Sequence, residues 1–491
     1  MKLPEWVLSY KEPKTEIKYI KGAYYKYAVE YKYNPAKKRT DKITKNLLGK
    51  ITQENGFSPS AKLLIKERVE IIPKVDIKIY GVYKLFSSLL GGDLESLSKV
   101  LDPQTAQILS SIAMMRFAYQ CPLKRIPYLH KHDYCSQHWL PGGGLDDKKI
   151  RSVLGFVGEN RNLLVDWMKN RAETQMPISG NFLMIDSTHV QSVSQHIHVN
   201  AKGYNPDHNH DPQIRLMYIF SARLKQPVYY RLINGNITDL KSMKTCVEEF
   251  AAQNVIYIAD KGFYSLANTQ DLQSLNLHYI IPLQRNNSLI DFQLLKATDF
   301  KQTNKTYFIY QKRIIWYYSY ETRGQKIVTF LDESLRVAEE TDYLMRIKSH
   351  PEKYTEQAFY EKLVRFGTLS IVSNLPEELS PQQIYTAYKQ RNQIETMFDA
   401  YKNFLEADKT YMQNRFVLEG WLMANFIAMI AYYRLFVLLK EAGLLTKYAP
   451  KDIIEIAKSI YQTRIADKWR VSEITKKTSD LFLKLKIDYL N

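Results

Sequence analysis

The sequence predicts an α/β protein: a central sheet interrupted by a β-rich insertion, preceded by a strand-plus-helix region and followed by a helical C-terminal region. Residues 181–283 read as a three-strand meander that passes into alternating helix and strand. The same alternation resumes at residue 368 after a stretch of short alternating segments. With 491 residues, 45% hydrophobic and 24% charged, the chain has the balance of a globular protein of about three domains at roughly 150 residues each. A disordered or collagen-like chain is excluded.

Residues 1–80 form a basic β-rich region. Aromatic and charged positions alternate, as in Ile17-Lys18-Tyr19-Ile20 and from Tyr24 to Tyr33, the pattern of short strands joined by polar turns. The region holds 18 Lys and Arg against 9 Asp and Glu, an excess that suits either a DNA-contacting arm or an exposed β-hairpin. Residues 81–178 are helical, with apolar residues at helical spacing over 82–128 and 146–171 and a break at Gly142-Gly143-Gly144.

Residues 179–283 supply strands at 181–193, 215–221, 227–233, 255–259 and 278–282, with helices near 239–252 and 265–274. Residues 284–367 are the β-rich insertion, marked by alternation at 307–310, 314–320 and 326–331. The α/β pattern returns over 368–440, with a strand at 368–373 and a helix from Pro381, and residues 441–491 read as helical. The stretch 420–439 is long and apolar enough for a bilayer, but Asn425 and Arg434 would lie in lipid, so it reads as a core helix and no membrane is implied.

The 69 Lys and Arg against 51 Asp and Glu, a net charge of +18, favour a polyanionic partner, nucleic acid first. Cys121, Cys135 and Cys246 are too few and scattered for a disulfide framework, which points to a reducing interior. No phosphate loop of the form G-x4-G-K-[ST] occurs, which argues against an NTP-driven motor.

Three acids stand where a sheet edge would present them. Asp186 follows the apolar Phe182-Leu183-Met184-Ile185, and Asp260 follows Val255-Ile256-Tyr257-Ile258-Ala259. An unpaired carboxylate loses several kcal/mol of solvation in such a place, so an arginine, a helix N-terminus or a metal ion must compensate it. The third acid, Glu395, belongs to the helix opened by Ser380-Pro381-Gln382-Gln383, a capping-box pattern. At about 100° per residue, Tyr388, Arg391, Glu395 and Lys402 share one polar stripe beside the apolar face of Ile394, Phe398, Tyr401 and Leu405, with Asp399 close to it. That stripe can either meet the two aspartates or remain an exposed charged face. Converging carboxylates would form an oxygen-rich site for Mg²⁺ or Mn²⁺, two of which could straddle a phosphodiester. Arg391 and Lys402 would hold backbone phosphates, and Tyr388 could stack or donate to one.

Tyr388-x2-Arg391-x3-Glu395-x6-Lys402 resembles the YREK signature of insertion-sequence transposases of the DDE class, in the group named after insertion sequence four. Asp186 within 182–189 and Asp260-Lys261-Gly262-Phe263-Tyr264 resemble that family's two aspartate contexts, and Gly235-Asn236 with Asp239 resembles a stretch between them. The resemblance covers about residues 180–440. It implies a ribonuclease H-like catalytic core interrupted by a β-rich insertion, with Asp186, Asp260 and Glu395 as catalytic and metal-binding residues and Tyr388, Arg391 and Lys402 on DNA.

The family implied is one of enzymes that hydrolyse a strand to free a 3′-OH and use it to attack target DNA, needing Mg²⁺ or Mn²⁺, two ions in all. Partners would be double-stranded element ends and target DNA, bound by a homodimer in a prokaryotic cytoplasm, at the nucleoid, with residues 81–178 expected to bind the ends. Some members pass through a hairpin, where an aromatic residue of the insertion holds a flipped base; Trp316 is the candidate here. The rival readings are a DNA nuclease on the same core without strand transfer, and a catalytically retired DNA-binding descendant.

Two histidine groups are weaker signals for zinc. His130, His132, Cys135 and His138 lie close in sequence, as do His196, His198, His208 and His210, but neither spacing is that of a standard structural site. His189, three residues beyond Asp186, would face the other side of its strand.

Overall fold

The computed structural model describes residues 3–35, 37–64, 75–176, 181–203, 211–236, 239–252, 254–296, 300–303, 306–375, 379–465 and 468–487. The chain divides into two compact units, Met1–Ile77 with Gln462–Arg470, and Lys78–Tyr461 with Val471–Asn491. In the first unit four strands, Thr15–Ile20, Ala23–Asn34, Arg39–Thr52 and Gly56–Pro59, pair antiparallel in chain order. Val7, Ile17 and Ile51 form its small buried cluster, and Tyr31 and Tyr33 stay exposed. Tyr461–Ile465 and Lys468–Val471 are strands where the sequence reading expects helix. Their Thr463, Ile465, Trp469 and Val471 alternate with charged neighbours, a period-2 run too short to stand out between helical segments.

The second unit holds an eleven-stranded mixed sheet. Its strands are β1 (Asn181–Ser192), β2 (Ala201–Lys202), β3 (Pro212–Ser221), β4 (Gln226–Asn234), β5 (Val255–Ile258), β6 (His278–Pro282), β7 (Tyr307–Tyr310), β8 (Arg313–Thr322), β9 (Gln325–Asp332), β10 (Thr368–Ser373) and β11 (Lys409–Thr410). The order is β7-β8-β9-β10-β6-β5-β1-β3-β2, with β4 beside β3 and β11 beside β1. β3 runs antiparallel to both of its neighbours, β1 and β4, whereas β1, β5 and β6 run parallel. Leu183, Met184 and Ile185 are all buried, so β1 is covered on both faces, as a central strand with parallel neighbours requires.

The insertion's strands β7–β9 continue this same sheet through β10. The segment also contains the helices Glu333–Ser349 and Glu356–Lys362, which the sequence reading leaves out. Only Tyr343 of the longer one is buried, so it shows no apolar stripe to read.

Helices α1 (Gly81–Val100), α2 (Pro103–Tyr119), α3 (Asp147–Glu159) and α4 (Arg161–Gln175) precede the sheet, and α5 (Asp239–Phe250) and α6 (Leu266–Ser274) sit within it in chain order. With the two insertion helices as α7 (Glu333–Ser349) and α8 (Glu356–Lys362), there follow α9 (Pro381–Lys389), α10 (Asn392–Asp399) and α11 (Arg415–Glu441). Among the described residues α11 is the one helix long and apolar enough to cross a membrane, and it is buried against α2, α3 and β4.

Two glycines let α3 and α11 touch backbone to backbone. A Cβ on Gly420 would stand 2.2 Å from the Leu154 carbonyl oxygen, and one on Gly158 2.0 Å from that of Phe416. Gly420→Ala must push the helices apart and is expected to cost about 1–3 kcal/mol, read as a lower urea midpoint. An unchanged midpoint would refute the close contact.

Candidate active site

β5 runs parallel to β1 with Ile258 opposite Met184. Asp260 follows Ile258 by two residues, as Asp186 follows Met184. β5 has ended by then, and the edge of β1 is not covered again until Lys409 of β11 pairs with Gln191. The two aspartates therefore lie beside a gap in the sheet at the carboxyl end of a parallel pair, where α/β sheets open their crevices. Asp186 is held by its neighbours, since Ser187 N donates to its Oδ1 at 2.8 Å.

Glu395 reaches this gap from above. Gln383 N donates to Ser380 Oγ at 3.3 Å and Ser380 N to Gln383 Oε1 at 2.9 Å, so the capping box opens α9 as the sequence pattern requires. The continuous helix expected from there is absent. α9 ends at Lys389, α10 begins at Asn392 with Arg391 as its N-cap, and the chain widens into a π-helical turn at Ala400–Phe404. Ile394, Met397 and Phe398 bury the inner face of α10. Tyr218, opposite Asp186 in β3, packs its ring 6.0 Å from Phe398 and 5.9 Å from Tyr401, which ties α10 to the strand that carries Asp186.

Arg391 stands among all three acids. Its Nη2 donates to Asp186 Oδ2 at 2.8 Å and its Nη1 to Glu395 Oε1 at 2.6 Å, while Nη1 lies 3.8 Å from Asp260 Oδ1. The guanidinium is 13% exposed and Glu395 53%, so the cluster is sealed on the sheet side and open at Glu395. Burial works against the charge of Arg391, yet Asp186, Asp260 and Glu395 outweigh it and hold its pKa above the ordinary value. Its Nε is buried without a hydrogen-bond partner among the described residues. Tyr388 lies beside the group: burial raises its pKa, and the nearby Asp260, Glu395 and Asp186 push the same way against Arg391.

Asp399 and Trp316 have partners of their own, and Lys402 follows α10 on the next turn. Lys402 is half-buried on the π-helical turn, whose wider winding alters the 100° arithmetic that placed it on the stripe. Asp399 accepts from Asn403 Nδ2 at 2.6 Å. Trp316 is on β8, five strand spacings or about 24 Å across the sheet from β1. It packs beside Tyr307 and Phe300 in a separate aromatic cluster, so the structure does not bring it to the acids. His189 is half-buried, and the side chain of Asp239 and all of His208 and His210 lie outside the described residues.

The histidine-cysteine group around residue 130 is built differently from a metal site. Cys135 and His130 are buried in the helical region while His138 lies against Tyr134. The residue missed there is Asp133, fully buried, accepting from Cys135 N at 3.0 Å and from the Tyr119 hydroxyl at 3.3 Å. Burial pushes its carboxyl up to about 7. Its stabilising protonated form is fully present below the ordinary carboxylate range and is lost as pH rises through 7. Asp133→Asn should therefore raise the melting temperature at about pH 8 and flatten its fall with pH; a parallel pH profile in both proteins would refute this.

The donor set of Asp186, Asp260 and Glu395 is all oxygen, the chemistry that suits Mg²⁺ or Mn²⁺. Among the described residues, no three His, Cys, Asp or Glu side chains are spaced as metal ligands. Here the acids gather about a guanidinium, a stand-in cation in the position between them.

A family model described as a transposase DDE domain matches residues 179–431, which include all three acids and Arg391. No curated protein matches the chain. Among solved structures, the chain is similar to a piggyBac transposase synaptic complex with hairpin DNA, determined by cryo-EM. That match has 12% identity and a TM-score of 0.38, covering 77% of this chain and 78% of the other.

Proposed function

The chain belongs to the transposase DDE domain family, and from that premise we propose that it cuts the ends of an insertion sequence and joins them to target DNA. The carrying observation is that Arg391 draws Asp186, Asp260 and Glu395, acids from three separate segments, onto one guanidinium. A cluster of that kind is costly unless a cation neutralises it, which supports a site built for divalent ions and phosphate. The strand order β4-β3-β1-β5-β6, antiparallel then parallel, supports a ribonuclease H-like core.

Asp186, Asp260 and Glu395 would hold the ions, two in this reading. When bound, Mg²⁺ supplies Lewis-acid stabilisation of the attacking and leaving oxygens of a phosphodiester. The chain's own residues position the strand. Arg391, released from the acids, would present a planar fork to a backbone phosphate, Lys402 would offer a point charge, and the Tyr388 hydroxyl would donate to phosphate oxygen. The spacing of these residues supports the YREK group of insertion-sequence enzymes. A homodimer on paired ends, in a prokaryotic cytoplasm at the nucleoid, completes the reading, with the positive charge of the chain drawing it to DNA.

The test is incubation of the full chain with Mg²⁺, a target plasmid and labelled DNA carrying the repeats that flank its coding sequence. Plasmid-joined label is expected. Hydrolysed ends without joining would make it a nuclease, and binding without cutting would make it a retired DNA-binding protein.

A further inference from the structure

A cavity of about 650 Å³ lies beyond the acid cluster, between the helical region and the segment that follows the π-helical turn. Its walls carry Arg116, Lys124, Arg125, Arg151 and Lys409 against the single acid Glu406. Arg151 is engaged by Asp147 at 2.8 Å. Among the described residues, none of Lys124, Arg125 and Lys409 has a carboxylate within ion-pair reach.

Arg116 sets the floor. It is buried, its ring neighbour is Trp421 at 4.8 Å, and its nitrogens donate to neutral oxygens only: Asn425 Oδ1 and the Cys121 carbonyl, each at 2.8 Å, and the Leu405 carbonyl. Burial pulls its pKa below the ordinary value. A guanidinium buried without a paired carboxylate leaves positive potential directed into the space above it.

Tyr411 stands at the mouth, 70% exposed. The chain just before it is rigid, because β11 pairs with Gln191 and Ser192 of β1, Gln191 N donates to the Asp408 carbonyl at 2.9 Å and Val193 N to that of Thr410 at 3.2 Å. A flat ring held beside unpaired cations is a stacking platform for a base. The volume lies within the roughly 300–1,000 Å³ of small-ligand pockets, enough for one nucleotide.

The place of the cavity relative to the cut follows from the strand. Gln191 is five residues beyond Asp186 on β1, or about 17 Å at 3.3 Å per residue. At 3.4 Å per nucleotide of one DNA strand this is about five nucleotides.

We propose that this cavity is a second nucleic-acid subsite, which takes one unpaired nucleotide of the DNA strand about five nucleotides from the cut. The base stacks on Tyr411, and Lys124, Arg125 and Lys409 hold the flanking phosphates. Its placement beside the cut rests on the transposase reading, but the recognition of an unpaired nucleotide does not.

The test uses the full chain and a fluorescein-labelled ten-residue oligothymidylate, followed by anisotropy across a salt series, with cleavage of end DNA measured separately. Tyr411→Ala should weaken binding about fivefold or more, and Tyr411→Phe should bind like the natural protein. Lys409→Ala should reduce the salt slope by about 0.7, the value for one phosphate of a single strand. Equal affinity of Tyr411→Ala and the natural protein, at equal melting temperature, overturns the proposal. So does an unlabelled ten-base-pair duplex that competes better than oligothymidylate itself. If the natural protein binds through Tyr411 yet cuts no DNA, the transposase reading fails while the subsite stands; if it cuts DNA but Tyr411→Ala binds normally, the subsite fails alone.

Discussion

Strand cleavage is expected to fall by roughly 10²–10³-fold or more when Asp186 becomes asparagine, the loss that follows removal of one electrostatic contact to a reacting phosphate. Asparagine keeps the shape of the side chain and its Oδ1 acceptor for Ser187 N. It removes the charge that answers Arg391 Nη2 and that would hold a cation. Glu395 and Asp260 still neutralise the guanidinium, so the fold and end binding should survive. The measurement pairs release of a 3′-OH from labelled end DNA with a gel-shift titration of the same fragment. Cleavage at the natural rate would take Asp186 out of the chemistry, and a loss of both cleavage and binding would make its role structural.

Arg391→Ala should split two properties that an ordinary disabling mutation moves together. The guanidinium occupies the place between the three acids, so its loss should raise the affinity of the DNA-free protein for Mn²⁺ by roughly tenfold, about 1.4 kcal/mol of removed competition. The same change leaves three carboxylates with no cation among them. The melting temperature in chelator should fall, and Mn²⁺ should restore it through binding to the folded state alone. Cleavage should nevertheless drop, because the planar fork for phosphate is gone. Arg391→Lys, which keeps charge without the fork, should lie between the two proteins in Mn²⁺ affinity. Calorimetric titration of Mn²⁺ into the free protein decides the matter: unchanged or weaker binding by Arg391→Ala would refute the idea that arginine holds the cation's place.

Much of the site could be read from local signals. Apolar runs ending in Asp186 and Asp260 identified the two strands, and Ser380-Pro381-Gln382-Gln383 marked the start of α9 because a capping box satisfies its orphan donors within four residues. The polar stripe offers Arg391 as a phosphate ligand and carries no sign that it links the three acids. The break at Gln390–Arg391 and the π-helical turn leave no mark in a 100° wheel, which assumes unbroken winding. A tryptophan on a strand gives no sign of which neighbours will cover it, as with Trp316; β8 lies far across the sheet and Phe300 and Tyr307 take its ring. Asp133 leaves no local mark, because its burial depends on Tyr119 and on the packing of the helical region, not on any pattern near it.

By itself the sequence determined the order of the strands that lead into Asp186 and Asp260 and of the helix opened by Ser380, the positive charge and the residue types available for phosphate chemistry, since periodicity, caps and composition act over a few neighbouring residues. Only the tertiary structure decided that β5 stands in register beside β1, that α10 lies over their open edge, and that one arginine reaches three acids. Strand register and helix docking are chosen by the burial of side chains distant in the chain, Tyr218 against Phe398 and Tyr401 among them, and no local pattern carries that information.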